Sequence, residues 1–138
     1  MRAIGQEELV FVAAKRTPFG AFGGSLKNHT ATELGVIAAK AAIGQSGLSP
    51  SDIDQVIFGN VIQSSSDAIY LARHIGLRCE VPAEVPALTV NRLCGSGFQA
   101  IINGAEQIVT NQATCVLVGG TENMSQSPHV IRGARWGL

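Results

Sequence analysis

The stretch Ala87-Leu-Thr-Val-Asn-Arg-Leu-Cys94-Gly-Ser-Gly-Phe-Gln-Ala100 places a thiol between a short apolar run and a pair of glycines. A cysteine becomes a strong nucleophile once its thiol ionises. Thr89 and Val90 are β-branched, so Ala87 to Val90 reads as a buried strand, and Gly95 and Gly97 leave the backbone room to turn sharply. From Phe98 onward, Ile101, Ile102, Ala105, Ile108 and Val109 keep helical spacing opposite Gln99, Asn103, Glu106 and Thr110. Cys94 therefore falls at or next to a helix N-terminus. Unpaired N–H groups and the helix dipole favour a thiolate there, and the same N–H groups can hold the oxyanion formed when that thiolate attacks a carbonyl. The residue types also suit a small buried hydrophobe, and the chemistry of the stretch leaves both readings open.

Other chemistries find less support. Gly95-Ser-Gly97-Phe-Gln-Ala100 fits the G-x-G-x-x-A dinucleotide pattern, but Asn91-Arg-Leu-Cys94 separates it from the strand. The acidic residue expected at the end of the next strand is replaced by Gly119-Gly120, with Glu122 beyond it. A nucleophilic cysteine needs a base, yet His29 precedes a helix cap, His74 lies on a helix and His129 lies in an aperiodic tail. The sequence assigns none of them, and Glu106 and Glu122 have no acid–base partner at an interpretable spacing. Cys79, Cys94 and Cys115 are too few for a disulfide framework and include no C-x-x-C pair, which argues a reducing compartment and no metal site. Lys15 and Arg16 stand beside glycines without Walker spacing and read as a solvated or structural pair.

The elements that must position Cys94 alternate. Leu9-Val-Phe-Val-Ala-Ala14 reads as a strand buried on both faces. Thr30-Ala-Thr-Glu33 is a capping box opening a helix with Leu34, Ile37, Ala38, Ala41 and Ala42 on one face, ending near Gly44 to Gly47. After a turn at Ser49-Pro-Ser-Asp52, Gln55 to Ile62 reads as a strand bent at Gly59. Ser64-Ser-Ser-Asp67 supplies an N-cap, and Ala68 to Gly76, with Ile69, Ala72 and Ile75, reads as a helix. Thr114 to Gly119 is a last buried strand, with Cys115 in the core. The order β-α-β-α-β-α-β predicts an α/β fold with helices on both faces of a mostly parallel sheet.

The totals narrow the partners. Ten basic residues balance ten acidic ones in 138, so no basic stripe invites nucleic acid. The chain is 46% hydrophobic and only 14% charged, against a usual charged share of roughly 25%. No apolar run reaches the roughly 18 residues of a membrane span, so the excess predicts burial against other protein. No secretory signal pattern opens the sequence.

Asn91-Arg-Leu-Cys94-Gly-Ser-Gly-Phe-Gln-Ala100 closely resembles the acyl-enzyme signature of the thiolase family, coenzyme A-dependent acetyl-transfer enzymes. Val12-Ala-Ala-Lys-Arg-Thr-Pro-Phe-Gly20, Gly59-Asn-Val-Ile-Gln63, Ser65-Ser-Asp-Ala-Ile-Tyr-Leu-Ala-Arg73 and Gly119-Gly-Thr-Glu-Asn-Met-Ser125 resemble the family's N-terminal half, most closely its mitochondrial 3-ketoacyl-CoA branch. The resemblance implies that Cys94 is the nucleophile and a backbone oxyanion donor, with acyl-CoA and coenzyme A as substrates and no permanently bound cofactor. It implies a homodimer or homotetramer that forms close to the strand before the nucleophile, in the mitochondrial matrix rather than the cytoplasm. It also implies that residues 1–138 form an N-terminal domain ending before the family's loop domain and C-terminal half. The family's Gly-His-Pro histidine, Asn-Glu-Ala-Phe asparagine and second, acid–base cysteine belong to that half, and neither motif occurs in this sequence.

Overall fold

The computed structural model describes residues 8–137. Its regular elements are α1 (Ala31–Ser46), β1 (Gln55–Gly59), α2 (Leu71–Arg78), β2 (Ala87–Val90), α3 (Ser96–Val109) and β3 (Val116–Gly120), with short 3₁₀ turns between and after them. The strands form a parallel sheet in the order β2-β1-β3. Gly59 pairs with Val90 on one side and Gly120 on the other, so all three carboxyl ends reach one rim. The chain crosses outward from β1 to β2 through α2, then back past β1 to β3 through α3. Two right-handed crossovers in opposite directions put their helices on opposite faces. Alternation along β1 agrees: Val56 and Phe58 join the core formed with α1 and α2, whereas Gly59 lies against the start of α3.

The α/β class with helices on both faces of a parallel sheet is observed, but one expected strand is not. Leu9 to Ala14 forms no strand among the described residues, and Leu9, Val10, Phe11 and Val12 are 43%, 66%, 74% and 59% exposed. An apolar run favours extended backbone, but two-sided burial needs a paired neighbour and a covering layer, and no described residue supplies either. The neighbouring strands differ from expectation at their ends for identifiable reasons. Strand β1 stops at Gly59 because the Glu122 carboxylate captures the N–H groups of Val61 and Ile62. Strand β3 starts at Val116 because the N–H groups of Thr114 and Cys115 donate to Asp54.

Helix α1 has the expected capping box: Glu33 N–H donates to Thr30 Oγ1 at 3.1 Å and Thr30 N–H to the Glu33 carboxylate at 2.9 Å. Its buried face is not the expected one. Of the expected stripe only Leu34 is buried, and Ala31, Thr32, Gly35 and Ala39 are buried with it, while Ile37 is half exposed.

 Gly35 explains this choice, since a Cβ there would lie 2.5 Å from Ile75 Cδ1, so the small-residue face, which includes Ala39, is the one that closes on α2. Helix α3 repeats the pattern. Ser96, Ala100 and Gly104 are buried against the sheet, whereas Phe98 is 72% exposed and Ile102 36%. Close approach of helix to sheet selects the small face, and the bulky face is left outward.

Helix α2 starts later than expected, after a 3₁₀ turn at Ala68–Tyr70, and buries Leu71, Ala72, Ile75 and Gly76 while Ile69 stays exposed. Asp67 makes no cap hydrogen bond. Its carboxylate instead accepts from the Ser65 hydroxyl at 2.6 Å and faces His74 Nδ1 at 3.2 Å and Arg78 at 3.4 Å. The Ser65 hydrogen bond holds the Asp67 carboxyl below its ordinary range, with smaller help from His74 and Arg78 against partial burial. No helix among the described residues is long and apolar enough to cross a membrane. The chain exposes 9155 Å² for 14.4 kDa, whereas a compact monomer of that mass exposes about 6,800 Å².

Candidate active site

The carboxyl rim of a parallel sheet is where open α/β folds present chemistry, because each strand there gives way to a loop and a helix start. Asn91, Arg92, Leu93, Cys94 and Gly95 connect β2 to α3 at that rim. Cys94 is exposed and lies two residues before Ser96, the first residue of α3. The sharp turn is made by an unexpected residue. Leu93 has φ 50°, whereas Gly95 has φ −86° and Gly97 is not among the positive-φ glycines. The left-handed region is costly for a branched side chain, so neighbouring groups must hold Leu93 there.

Those groups are Asn91 and Ser96. Leu93 N–H donates to Asn91 Oδ1 at 3.0 Å, and the Leu93 carbonyl accepts from Ser96 Oγ at 2.6 Å and Ser96 N–H at 3.0 Å. Ser96 Oγ also accepts from Arg92 N–H at 2.8 Å. The N–H groups of Cys94, Gly97 and Phe98 have no hydrogen-bond partner among the described residues. They are the orphan donors expected around a helix start.

The other two cysteines are unlike Cys94. Cys79 is buried in the core and Cys115 is half-buried, and burial pushes both thiols up. Neither is placed for surface chemistry. The histidines do not join Cys94 by hydrogen bonds. His29 lies 3.9 Å from Glu33, His74 faces Asp67 and stacks near Tyr70 at 5.8 Å between ring centroids, and His129 is exposed.

Glu122, for which the sequence offers no partner, clamps the same rim. Its carboxylate accepts from Asn60 Nδ2 at 2.9 Å, Val61 N–H at 2.9 Å and Ile62 N–H at 3.2 Å. Asn60 is buried and ties β1 to its neighbours: its N–H donates to the Val90 carbonyl at 3.1 Å and its Nδ2 to the Thr121 carbonyl at 2.9 Å. Asn123, also buried, donates to the His29 carbonyl and so anchors the loop before α1, while Gly23 N–H donates to Ser125 Oγ at 2.9 Å. The available signal was position alone, since Asn60, Asn91, Glu122 and Asn123 all follow strand ends. Among the described residues no group of three or more His, Cys, Asp or Glu side chains is placed to hold a metal ion.

This α/β rim, with its cysteine between β2 and α3, is that of a known family. The chain belongs to the thiolases: the model described as "Thiolase, N-terminal domain" matches residues 9–138. Among individual relatives, human mitochondrial 3-ketoacyl-CoA thiolase is 63% identical over 91% of this chain and 32% of its own length. The beta-ketothiolase BktB of Cupriavidus necator is 43% identical over 94% of this chain and 33% of its own. The crystal structure of the human mitochondrial enzyme in complex with CoA superposes with a TM-score of 0.91 at 62% identity, covering 92% of this chain and 32% of that one. The acetyl-CoA acetyltransferase of Bacillus anthracis gives 0.88 at 41% identity, covering 94% and 32%. The chain thus spans about a third of the length of the curated relatives it matches.

Proposed function

We propose that this chain supplies the nucleophile-bearing domain of a thiolase that cleaves 3-ketoacyl-CoA. Cys94 Sγ bonds to the 3-keto carbon, the bond between C2 and C3 breaks, and its electron pair leaves on the acetyl-CoA carbon, which takes up a proton. The shortened acyl group stays as a Cys94 thioester until the sulfur of a second coenzyme A, giving up its proton, displaces Cys94. Condensation runs through the same acyl-enzyme in reverse. The free Cys94 N–H donates to the developing oxyanion. Coenzyme A is a substrate in this reading, and the CoA complex of the human relative supports it.

The observation that carries the reading is the combination at Cys94 of exposure, an unpartnered N–H and a place on the carboxyl rim of a thiolase-family fold. We place the base outside these 138 residues, a reading supported by the lack of any histidine hydrogen-bonded to Cys94 among the described residues and by the chain's span of about a third of its relatives' length. Homo-oligomerisation near β2 is supported by that strand's outer edge, which pairs with no described residue. A mitochondrial matrix location is supported by the names of the relatives.

The test is peptide mass spectrometry of the chain after incubation with acetoacetyl-CoA and an acid quench. Acylation should appear on Cys94, not on Cys79 or Cys115, and disappear in Cys94→Ser, with little or no sustained thiolysis. Absence of the Cys94 adduct would sink the catalytic reading, and family-like turnover would sink the assignment of the base to other sequence. A second reading, a non-catalytic half that assembles with another thiolase-like subunit, is favoured by the large exposed apolar surface. It predicts no adduct but a stable complex with a full-length thiolase.

A further inference from the structure

The nucleophile turn is held by a side chain that the proposed reaction does not use. Ser96 is 4% exposed, and its single hydroxyl both accepts from Arg92 N–H at 2.8 Å and donates to the Leu93 carbonyl at 2.6 Å. It therefore spans the two residues immediately before Cys94. Leu93, directly before Cys94, sits at φ 50° and is 71% exposed, so packing of its side chain does not hold the conformation. Neither signature glycine adopts the left-handed region.

We infer that Ser96 is the positioning residue for Cys94: its hydroxyl locks Leu93 in a left-handed turn, and that turn fixes where the thiol stands relative to α3. The inference rests on Cys94 being the nucleophile. Without the clamp, the intrinsic preference of a leucine against left-handed backbone returns, equivalent to about five- to thirtyfold in population. The seat of Ser96 is itself narrow. Gly59 opposes it so closely that a Cβ at that glycine would lie 2.5 Å from the Ser96 carbonyl carbon, so α3 cannot slide inward to make up for a lost hydroxyl.

The test compares wild type, Ser96→Ala and the double variant Ser96→Ala/Leu93→Gly in the full 138-residue chain. The first readout is the iodoacetamide alkylation rate of Cys94, with the buried Cys79 as an internal reporter of global opening. Ser96→Ala should slow Cys94 alkylation about tenfold while Cys79 stays protected. Leu93→Gly should restore the rate in the double variant, because glycine enters the left-handed region without a clamp. An unchanged rate in Ser96→Ala overturns the inference. So does a loss that glycine does not rescue, or one accompanied by Cys79 labelling, since either marks a merely structural role. Acylation by acetoacetyl-CoA, run in parallel on wild type, reports separately on the thiolase reading: its failure sinks that reading while the alkylation comparison still decides the clamp.

Discussion

Replacing Gly59 by alanine should separate the sheet from the helix that carries the nucleophile turn. Gly59 ends the central strand and is paired with Val90 on one side and Gly120 on the other. A Cβ built on it would lie 2.5 Å from the Ser96 carbonyl carbon and 2.7 Å from both Gly97 N and Ser96 O. All three atoms are backbone, so no rotamer change relieves the clash. Ordinary contact needs a displacement of about 1 Å, and overpacking of this kind costs about 3 kcal/mol where neither side can yield. Total stabilities lie at roughly 5 to 15 kcal/mol, so the loss is a large fraction. With a urea m-value of about 2 kcal/mol/M, the midpoint should fall by about 1.5 M. Gly44→Ala is the control: nothing lies within 4 Å of its Cβ position in α1, and it should raise stability by about 0.5 to 1 kcal/mol. A Gly59→Ala midpoint within error of wild type would refute the close-approach argument.

Two further perturbations probe the ends of the strands. Glu122→Gln places an amide donor against the N–H groups of Val61 and Ile62 and the Asn60 side chain, and should cost about 2 kcal/mol in urea denaturation; an unshifted midpoint would show that the clamp is dispensable. Asp54 accepts from Thr114 N–H and Oγ1 at 2.7 Å each and from Cys115 N–H at 3.1 Å, and the Thr114 N–H above all holds its carboxyl below the ordinary range. Because the folded-state value is the lower one, this contribution is complete above the unfolded pKa of about 4 and is lost as pH falls through the folded value. Asp54→Asn should therefore be less stable near neutrality and show a shallower loss of stability on acidification than wild type; parallel pH profiles would contradict the assignment.

The exposed surface bears on how such a domain works. The outward faces of α1 and α3 carry Ile37, Phe98 and Ile102, and the run from Leu9 to Val12 is exposed as well. Helix α1 spends its small residues on α2 and helix α3 on the sheet, which leaves bulky residues of both facing outward. In the proposed reading, where Cys94 is the nucleophile and the proton acceptor lies outside this sequence, that surface is open to the part of the protein that carries the acceptor.

The sequence by itself determined the alternation of helix and strand, the cap at Thr30, the strand from Ala87 to Val90 and the placing of Cys94 before a helix, because each is a local matter of propensity, hydrogen-bonding side chains or spacing. The resemblance carried by the stretch around Cys94 also led to the family, which the match over residues 9–138 bears out. Only the tertiary structure decided which faces of α1 and α3 are buried, because close approach rewards Gly35, Ala100 and Gly104 over larger neighbours, a preference that hydrophobic periodicity misses. It alone decided that Leu9 to Ala14 has no strand partner among the described residues, since a strand exists only by pairing. It alone showed that Leu93, held by Asn91 and Ser96, makes the turn at Cys94: backbone conformation there follows from hydrogen bonds between residues whose types permit many others.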